Sequence, residues 1–425
     1  MPTAARLGAV ALSAAVLTGT AAPAFASSAS TGASLSASPS ASPVSIPVGL
    51  YGTGDPTYDG VWRQGLSLLA LHSQGVTPAA SAVDWLTGQQ CADGGWPSYD
   101  ADPAKGCAAA TEDTNATSAA VQALAALGGH DDAVSKAVAW YRKVQNADGG
   151  WSYNPGSASD ANSTGLVVSA LAAAKADPAS VARGGRTALD GLHGFQLGCS
   201  AAAAEQGAFA YQPDKSGKLV ANDAASAQAA LATGSGFLPV PAGTAAASTA
   251  TAASSTAACA DSEQSAAQYL ARRLGSGQEH LTSQLAGASA TPDYASTAWA
   301  ALSLAGTGHL DQARKAVDWL SANSAGWARG AGASADAVLI LSAHATGVDP
   351  TRFGAANLVA QLEAAGPAPA ATAAASATAG ATTASTATAE KSSSSFNPWW
   401  LVGVGLVAGA GIGMYISFNR SRRRA

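Results

Sequence analysis

Charged side chains are scarce in this chain. Only 12% of its 425 residues are Asp, Glu, Lys or Arg, against about 25% in a typical soluble domain. Five of the 22 basic residues lie at the chain ends, which leaves 17 basic against 27 acidic residues elsewhere. The composition therefore excludes disorder of the polyelectrolyte kind. No internal basic stripe is present, so we expect neither nucleic acid nor an anionic membrane surface as a partner of the central region.

Residues 1–26 have the pattern of a secretory signal peptide. Arg6 precedes the apolar stretch Leu7–Leu17, and Ala24-Phe25-Ala26 has the small-x-small form of a cleavage site. The alternative is a retained membrane anchor, for which the apolar stretch is short. We expect this segment to direct export and to be removed.

The C-terminal end has the pattern of a membrane anchor. Trp399–Phe418 is an uncharged run of 20 residues, about the length that crosses a bilayer as a helix. Four arginines follow it, as the positive-inside rule requires of a cytoplasmic end. We therefore expect a transmembrane helix over residues 397–419, a basic cytoplasmic tail over 420–425 and an extracellular domain before them.

Cysteine is scarce too, and the four residues are Cys91, Cys107, Cys199 and Cys259. In an exported chain they favour disulfides, and the lack of a Cys-x-x-Cys pair excludes a zinc ribbon. Four cysteines allow three pairings. We expect Cys91–Cys107 and Cys199–Cys259, because each pair closes a local loop. The six histidines show no paired spacing, so we expect no metal site, and no sequence motif indicates a cofactor.

Three tracts rich in Ala, Ser, Thr and Pro lack large apolar residues and cannot bury enough surface to fold. Residues 27–46 form a disordered linker after the leader, and residues 365–396 form a stalk before the membrane. Residues 241–258 interrupt the folded part as a surface loop. The folded domain is therefore expected over residues 47–364.

Two kinds of segment alternate along the folded domain. In the first kind, Ala82–Leu86 is followed by Gln90–Trp96, and the pattern returns 55 residues later in Ala137–Tyr141 and Gln145–Trp151. Both copies end in Asp-Gly-Gly-Trp. Weaker copies end at Phe209 and Trp327. These segments are amphipathic, which predicts half-exposed outer helices, each followed by a turn.

The second kind of segment begins with Asp or Asn and continues as an Ala/Leu/Val run of about 12 residues. Asp and Asn are good helix N-caps, and an apolar run of this kind predicts a helix buried on all sides. We expect inner helices to start near Thr57, Thr114, Ala161, Asn222, Asp293 and Ser334. We expect outer helices to start near Pro78, Asp131, Pro178, Asp261, Leu310 and Thr351. The pattern predicts an all-α fold, a single α6/α6 toroid of six inner and six outer helices, with an open solenoid as the alternative.

The segments Gln90–Trp96 and Gln145–Trp151 resemble the QW-type repeat of the α/α-toroid superfamily that contains prenyltransferases and squalene/terpene cyclases. The resemblance covers about residues 51–363 and implies a closed toroid. Within the motif, the two glycines allow a tight turn and the tryptophan packs across neighbouring units. These are structural residues, so they predict the fold and not the function.

Cyclases of that superfamily protonate an alkene with an Asp-x-Asp-Asp motif. The comparable stretch here is Ala110-Thr111-Glu112-Asp113, in which alanine replaces the first aspartate. Such an acid depends on its neighbours for its strength, so the replacement weakens the arrangement. Glu112 and Asp113 are the catalytic candidates that the resemblance implies, and an enzyme acting on an isoprenoid or a polysaccharide is one hypothesis.

The cobalamin carriers of the intrinsic-factor and transcobalamin group resemble this chain as secreted, disulfide-bonded toroids without catalytic residues. They bind their ligand at the barrel mouth, against a small second domain that this sequence does not predict. The resemblance implies a non-catalytic protein with a small ligand, corrinoid or isoprenoid, at the mouth. Its partner would be a membrane transporter or a second extracellular protein. A protein-interaction scaffold of the cell envelope is the third hypothesis.

The candidate ligand-binding residues share one position, the predicted start of an inner helix, and hence one end of the ring. They are Glu112, Asp113, Asn115, Asp160, Asn162, Asn222, Asp293 and Tyr294. Helix capping is the alternative explanation for the recurring Asp and Asn. Four of these residues exceed what capping needs: Glu112, Asn115, Asn162 and Tyr294.

Overall fold

The computed structural model of the protein describes residues 45–243, 262–283 and 289–370. The predicted signal peptide, transmembrane helix and cytoplasmic tail lie outside these residues, as do Cys259 and most of the two linkers and of the 241–258 insertion. In the described ranges, no helix is both long and apolar enough to span a bilayer.

Helices dominate the described residues, which confirms the predicted all-α class. Six of them, which we call the central helices, are mostly buried. They are α1 (Gly60–Ser73), α3 (Thr114–Leu127), α5 (Ala161–Ala173), α7 (Asp223–Thr233), α9 (Tyr294–Gly306) and α12 (Ala333–Thr346).

Seven further helices of the described ranges are peripheral. They are α2 (Ala80–Gly88), α4 (Asp131–Val144), α6 (Ala188–His193), α8 (Ser262–Ser276), α10 (Leu310–Asn323), α11 (Ala325–Ala331) and α13 (Leu358–Ala364). Two short antiparallel ribbons accompany them. They pair β1 (Ala182–Arg183) with β2 (Arg186–Thr187), and β3 (Thr282–Ser283) with β4 (Thr291–Pro292).

The central helices contact one another in a closed succession. Helix α1 packs on α3, α3 on α5, α5 on α7, α7 on α9, α9 on α12, and α12 again on α1. The peripheral helices pack on this group, for example α4 on α3, α8 on α7 and α9, and α13 on α12 and α1. The N-terminal ends of the central helices carry most of the residues that the sequence singled out.

The predicted starts of the central helices agree with the structure to within one residue for five helices. The exception is α1, which begins at Gly60. The predicted start Thr57 lies instead in a separate 3-10 turn, Pro56–Tyr58, where Asp55 accepts a hydrogen bond from the Thr57 N–H at 2.9 Å. The buried apolar runs therefore locate these helices well.

Two predicted outer-helix starts are wrong. Pro178 begins only a 3-10 turn, Pro178–Ser180, and the chain then forms the β1–β2 ribbon before α6 begins at Ala188. Thr351 likewise lies in the turn Pro350–Arg352, and α13 begins at Leu358 after the cap Asn357. In both places an Asp before the proline caps a single turn, which the sequence pattern does not distinguish from a helix start.

The predicted turn at Trp327 is also wrong. Residues Ala325–Ala331 form helix α11, and Ser324 before them has helical backbone angles, φ −83° and ψ −9°. The segment carries Gly326 alone where the strong copies have two glycines. The chain therefore continues from α10 into a second helix instead of forming the tight turn.

The predicted Cys91–Cys107 disulfide is confirmed, with a sulfur–sulfur distance of 1.96 Å and Cα atoms 5.5 Å apart. Cys199 is disulfide-bonded as well. Its predicted partner Cys259 lies outside the described residues, so the second pairing stays a prediction.

The glycines of the strong copies allow a close approach of the backbone to the next unit. Gly94 has φ +110°, and a Cβ atom there would lie 2.3 Å from the carbonyl oxygen of Lys136 in α4. At Gly149, with φ +86°, a Cβ atom would lie 2.2 Å from the carbonyl oxygen of Thr187. Only glycine fits these positions without strain.

The tryptophans of the same copies are buried between the layers. The indole N–H of Trp96 donates to the carbonyl of Leu86 at 2.8 Å, and that of Trp151 donates to the carbonyl of Tyr141 at 2.9 Å. Both tryptophans have no exposed surface. The motif residues therefore act structurally, as the sequence predicts.

Candidate functional site

Four of the predicted site residues cap the central helices. Asp113 accepts from the backbone N–H groups of Asn115 and Ala116 at 2.7 and 2.9 Å. Asp160, Asn222 and Asp293 each accept a backbone N–H from three residues further on, at 2.8 to 2.9 Å. Such side chains satisfy N–H groups that the helix itself leaves free. Capping therefore occupies these four side chains, whatever else they do.

Two of these caps are buried carboxyl groups with further partners. The Asp113 carboxylate accepts from the Ser98 hydroxyl at 2.7 Å, and that hydroxyl lies 3.1 Å from the phenol oxygen of Tyr153. Burial raises the pKa of Asp113. Burial also raises the pKa of Asp160 to about 6, although Ser163 donates to it from both its backbone and its hydroxyl.

Glu112 lies between the layers and faces the peripheral helix α4. Its carboxylate accepts from the indole N–H of Trp140 at 2.9 Å, and only 3% of the residue is exposed. Burial, together with a hydrogen bond to Asp93, raises the pKa of Glu112 to about 7. Asp93 also accepts from the Lys143 ammonium group at 2.9 Å. Glu112 therefore holds its proton up to neutral pH, but its carboxyl group contacts neighbouring side chains rather than open solvent.

A second set of residues, which we call the mouth, lies in the first turns of the central helices, just after the capping residues. It consists of the second residue of each central helix, or the third in α1. The members are Trp62, Asn115, Asn162, Ala224, Ala295 and Ser334. All six are half-buried, and in four of the helices the residues on either side are buried. These partly exposed residues therefore lie at the N-terminal ends of the six central helices.

Two side-chain contacts join mouth residues to different central helices. The amide nitrogen of Asn162 donates to the side-chain oxygen of Gln228 on α7. The ring of Trp62 contacts that of Trp299 on α9, with centroids 5.9 Å apart and an angle of 35° between the planes. Because α12 lies between α1 and α9 in the succession of helices, this aromatic contact reaches past α12.

Asn162 also has an unused acceptor. Its side-chain oxygen is buried and has no hydrogen-bond partner among the described residues. A buried polar atom without a partner costs free energy, about 1–3 kcal/mol. This oxygen has almost no exposed surface, so a ligand or a water donates to it only if the Asn162 side chain turns outwards. The mouth residues are otherwise neutral amides, a hydroxyl, an indole and two methyl groups.

One ion pair lies beside mouth residues on α1 and α12. Arg63 donates to the Asp59 carboxylate at 2.9 Å, and the hydroxyl of Ser334 donates to the same carboxylate at 3.2 Å. Burial raises the pKa of Asp59. The six mouth side chains themselves carry no charge, which suits a neutral ligand better than an ionic one.

Two open clefts of the described residues lie elsewhere. One, of about 310 Å³, is lined by residues 143–147 with Pro155, Gly156 and Arg183. The other, of about 390 Å³, lies along α4 beside Ala174 and Ala176. Neither is lined by a mouth residue. In the described ranges, no three His, Cys, Asp or Glu side chains are placed to hold a metal ion.

The predicted site residues therefore separate into distinct groups. Asn115 and Asn162 belong to the mouth, and Glu112 lies in a buried cluster with Asp93 and Trp140. The four capping residues form the first turns. Tyr294 stacks on Trp319 and Trp327 and contacts neither Asn115 nor Asn162 in this structure.

Sequence reasoning missed Trp62, Gln228 and Trp299. The signal for Trp62 was present, because Gln64 accepts the backbone N–H of Tyr51 at 2.9 Å just as Thr117 accepts that of Trp96 at 2.9 Å. Aligning the units on this acceptor places Trp62 level with Asn115. Gly49 has φ +100°, and a Cβ atom there would lie 2.4 Å from a backbone carbonyl oxygen. It makes the close turn of this unit, which lacks the tryptophan that marks the other units.

Comparison of the chain with protein-family models and with curated proteins finds no match. The fold class and the site therefore rest on the residues and contacts described above.

Proposed function

We propose that this chain is a cell-surface binding protein that captures a small neutral ligand at the mouth of an α/α toroid. The observation that carries the proposal is the mouth itself, an opening lined by uncharged amides and an indole, with the unpartnered side-chain oxygen of Asn162. Groups of this kind bind and orient a ligand but supply neither a nucleophile nor an acid.

The closed succession of contacts among the six central helices supports the toroid. A solenoid of the same units would leave its first and last inner helices apart, whereas α12 packs on α1. The peripheral helices on its outside support the two-layer arrangement. The resemblance of Gln90–Trp96 and Gln145–Trp151 to the QW-type repeat supports the same fold.

The signal-peptide pattern and the C-terminal apolar run support a single-pass membrane protein with its domain outside the cell. The Cys91–Cys107 disulfide fits an oxidising compartment. A domain tethered in this way is placed to deliver a ligand to a membrane transporter, which is the partner we propose.

The chemistry of the mouth favours an amide-bearing corrinoid over an isoprenoid. An isoprenoid is a hydrocarbon that needs a deep apolar cavity, and the two clefts of the described residues lie away from the mouth. The amides of Asn115, Asn162 and Gln228 instead match polar groups on a ligand rim. A ligand held at a shallow mouth keeps one face open, which a second protein can cover.

The test is calorimetric titration of the full chain in detergent with cyanocobalamin. We expect saturable binding, a loss of at least tenfold in affinity in Asn162→Leu and Trp62→Leu, and no change in Gln361→Leu, which alters an exposed amide on α13. Absence of binding in the folded wild-type chain, or equal losses in all three variants, contradicts the proposed ligand and site.

One observation favours the enzyme as a second candidate, namely the raised pKa of Glu112. A carboxylic acid that keeps its proton at neutral pH is a suitable general acid. Its 3% exposure requires the Trp140 contact to open before a substrate can reach it. Turnover of an isoprenoid that Glu112→Gln abolishes would support this candidate over the binding protein.

A further inference from the structure

Four aromatic side chains form a continuous row at the junction of α9, α10 and α11. The rings stack in the order His280, Trp319, Tyr294, Trp327, with successive centroids 4.2, 5.4 and 5.6 Å apart. Neighbouring planes are within 26° of parallel. All four side chains are half-buried, so the row reaches the surface along its whole length.

Packing of the repeat does not explain this row. Trp319 occupies the repeat position of Trp140, and Trp327 that of Trp151. Trp140 and Trp151 are fully buried, and each donates its indole N–H to a buried acceptor. The units of this chain thus provide an internal comparison. The position of Trp327 is core in both strong copies, at Trp96 and Trp151, whereas the position of Trp319 is core at Trp140 and half-buried at Trp85.

The spacing of the rings leaves part of each face uncovered. Parallel rings in full overlap lie about 3.5–4 Å apart, as His280 and Trp319 nearly do. Tyr294 lies 5.4 Å from Trp319 and 5.6 Å from Trp327 at small interplanar angles, so these rings are slipped sideways. Three of the rings therefore form steps, each of which leaves part of a ring face free of its neighbour.

Three classes of ligand can be separated by this chemistry. A nucleic acid would stack bases on the rings, but its phosphates need a basic groove, and the chain carries a net charge of −5. A cationic ligand prefers a cage of rings around the charge, and here the rings are near parallel. A sugar ring has a flat C–H face of the right size and keeps its hydroxyl groups in water.

Polar groups beside the row suit the hydroxyl groups of a sugar. Gln278 and Asn323 are both exposed. Gln278 precedes His280 by two residues, and Asn323 donates to the backbone carbonyl of Trp319 at 2.8 Å. Amide side chains of this kind donate and accept together, as a hydroxyl partner requires.

We propose that the row of His280, Trp319, Tyr294 and Trp327 binds a neutral saccharide chain, with successive sugar rings on successive steps. This site is separate from the mouth and does not depend on the function proposed for it. It would hold the domain against a glycan of the cell surface.

The test is binding of neutral hexasaccharides to the full chain in detergent, with cellohexaose, laminarihexaose and chitohexaose as probes. We expect at least one probe to bind and to quench tryptophan fluorescence. Trp327→Ala should weaken that binding at least tenfold, and Trp327→Phe, which keeps a flat ring, should restore most of it. The matched control is Trp85→Ala, because Trp85 is a half-buried tryptophan on α2 that stacks on Tyr99 alone.

Thermal unfolding of each variant is the control that checks whether the fold is retained. Binding of no probe by the folded wild-type chain overturns the proposal, as does an equal loss in Trp85→Ala and Trp327→Ala. Tighter binding of oligothymidylate than of every saccharide would also overturn it. Asn162→Leu should leave saccharide binding unchanged, which separates this site from the mouth.

Discussion

The turns before α3 and α5 and the segment before α12 occupy the same place in the repeat but have different structures. Trp96 and Trp151 follow a glycine with positive φ and are fully buried. Trp327 follows Ala325 at the same distance, lies within helix α11 and is half-buried. This difference indicates that the tight turn depends on the residue two positions before the aromatic side chain, because that residue must adopt positive φ.

The unit before α9 tests this explanation. In the unit before α9, the residue at that position is Glu279, which adopts φ +67° without being glycine. The acceptor position changes as well. Thr117 and Thr164 accept the backbone N–H of Trp96 and Trp151 at 2.9 and 3.0 Å, while α12 has Asp336 there, whose pKa burial raises to about 6. The unit before α12 therefore lacks both the residue with positive φ and the threonine that accepts the backbone N–H.

The largest expected effect distinguishes the two kinds of tryptophan. Trp151→Ala removes a fully buried ring and its indole hydrogen bond, and should lower the free energy of unfolding by about 3–5 kcal/mol. Trp327→Ala removes a half-buried ring and should cost less than about 1.5 kcal/mol. Urea unfolding monitored by circular dichroism measures both. Equal losses would mean that Trp327 is a core residue after all.

Glycine substitutions test the backbone directly. Gly149→Ala places a Cβ atom 2.2 Å from the Thr187 carbonyl at φ +86°, and should cost about 3 kcal/mol or more. The matched change Gly326→Ala meets no atom within 4 Å and should stabilise the chain by up to about 1 kcal/mol, because alanine favours helix. The same unfolding experiment measures the pair, and a costly Gly326→Ala would place that glycine in a turn.

The titration of Glu112 in the second unit should make stability depend on pH between about 4.5 and 7. Burial raises the pKa of Glu112 to about 7, so the folded state binds its proton more tightly than the unfolded state does. The stabilisation is complete below the unfolded pKa and is lost as the pH rises through about 7. Stability should therefore fall as the pH rises from about 4.5 to about 7 and level off above that.

Glu112→Gln should flatten this profile, because glutamine keeps a hydrogen-bonding side chain without the titration. The control lies at Trp319, which occupies the repeat position of Trp140 and stacks on His280 and Tyr294. The variant Tyr294→Phe should leave the slope of stability against pH unchanged. Melting temperatures across the pH range give the slopes. A variant Glu112→Gln with the wild-type slope would assign the titration to another group.

The smallest expected effect concerns Glu279. Glu279→Gly relieves the positive φ and should stabilise the fold by up to about 1 kcal/mol, offset in part by loss of the 2.7 Å hydrogen bond from Gln312 to its carboxylate. Urea unfolding measures it, with Gln278→Gly, also at positive φ, as the neighbouring comparison. Destabilisation by Glu279→Gly would show that the hydrogen bond outweighs the strain.

Much of the fold could be predicted from the sequence because its signals are local. The caps Asp113 and Asp160 and the apolar runs after them fix α3 and α5 to the residue. The starts at Pro178 and Thr351 failed because Asp-Pro supports a single turn as readily as a helix. Helix α11 was missed because an aromatic match at Trp327 outweighed the missing glycine.

The site was harder to predict because it depends on contacts between distant units. Asn115 and Asn162 were found since each lies two residues after a capping aspartate, Asp113 and Asp160. Trp62 contacts Trp299, and Gln228 contacts Asn162, across different central helices. No local pattern brings either pair together. The same holds for Tyr294, whose stacking partners lie on α10 and α11.

The most direct test of the binding mouth is native mass spectrometry of the full chain after incubation with a metabolite and lipid extract that contains cobalamins. We expect one bound, chemically unaltered small molecule, which is retained in Gln361→Leu and lost in Asn162→Leu. An empty wild-type chain, or a ligand that Asn162→Leu retains in full, would contradict it.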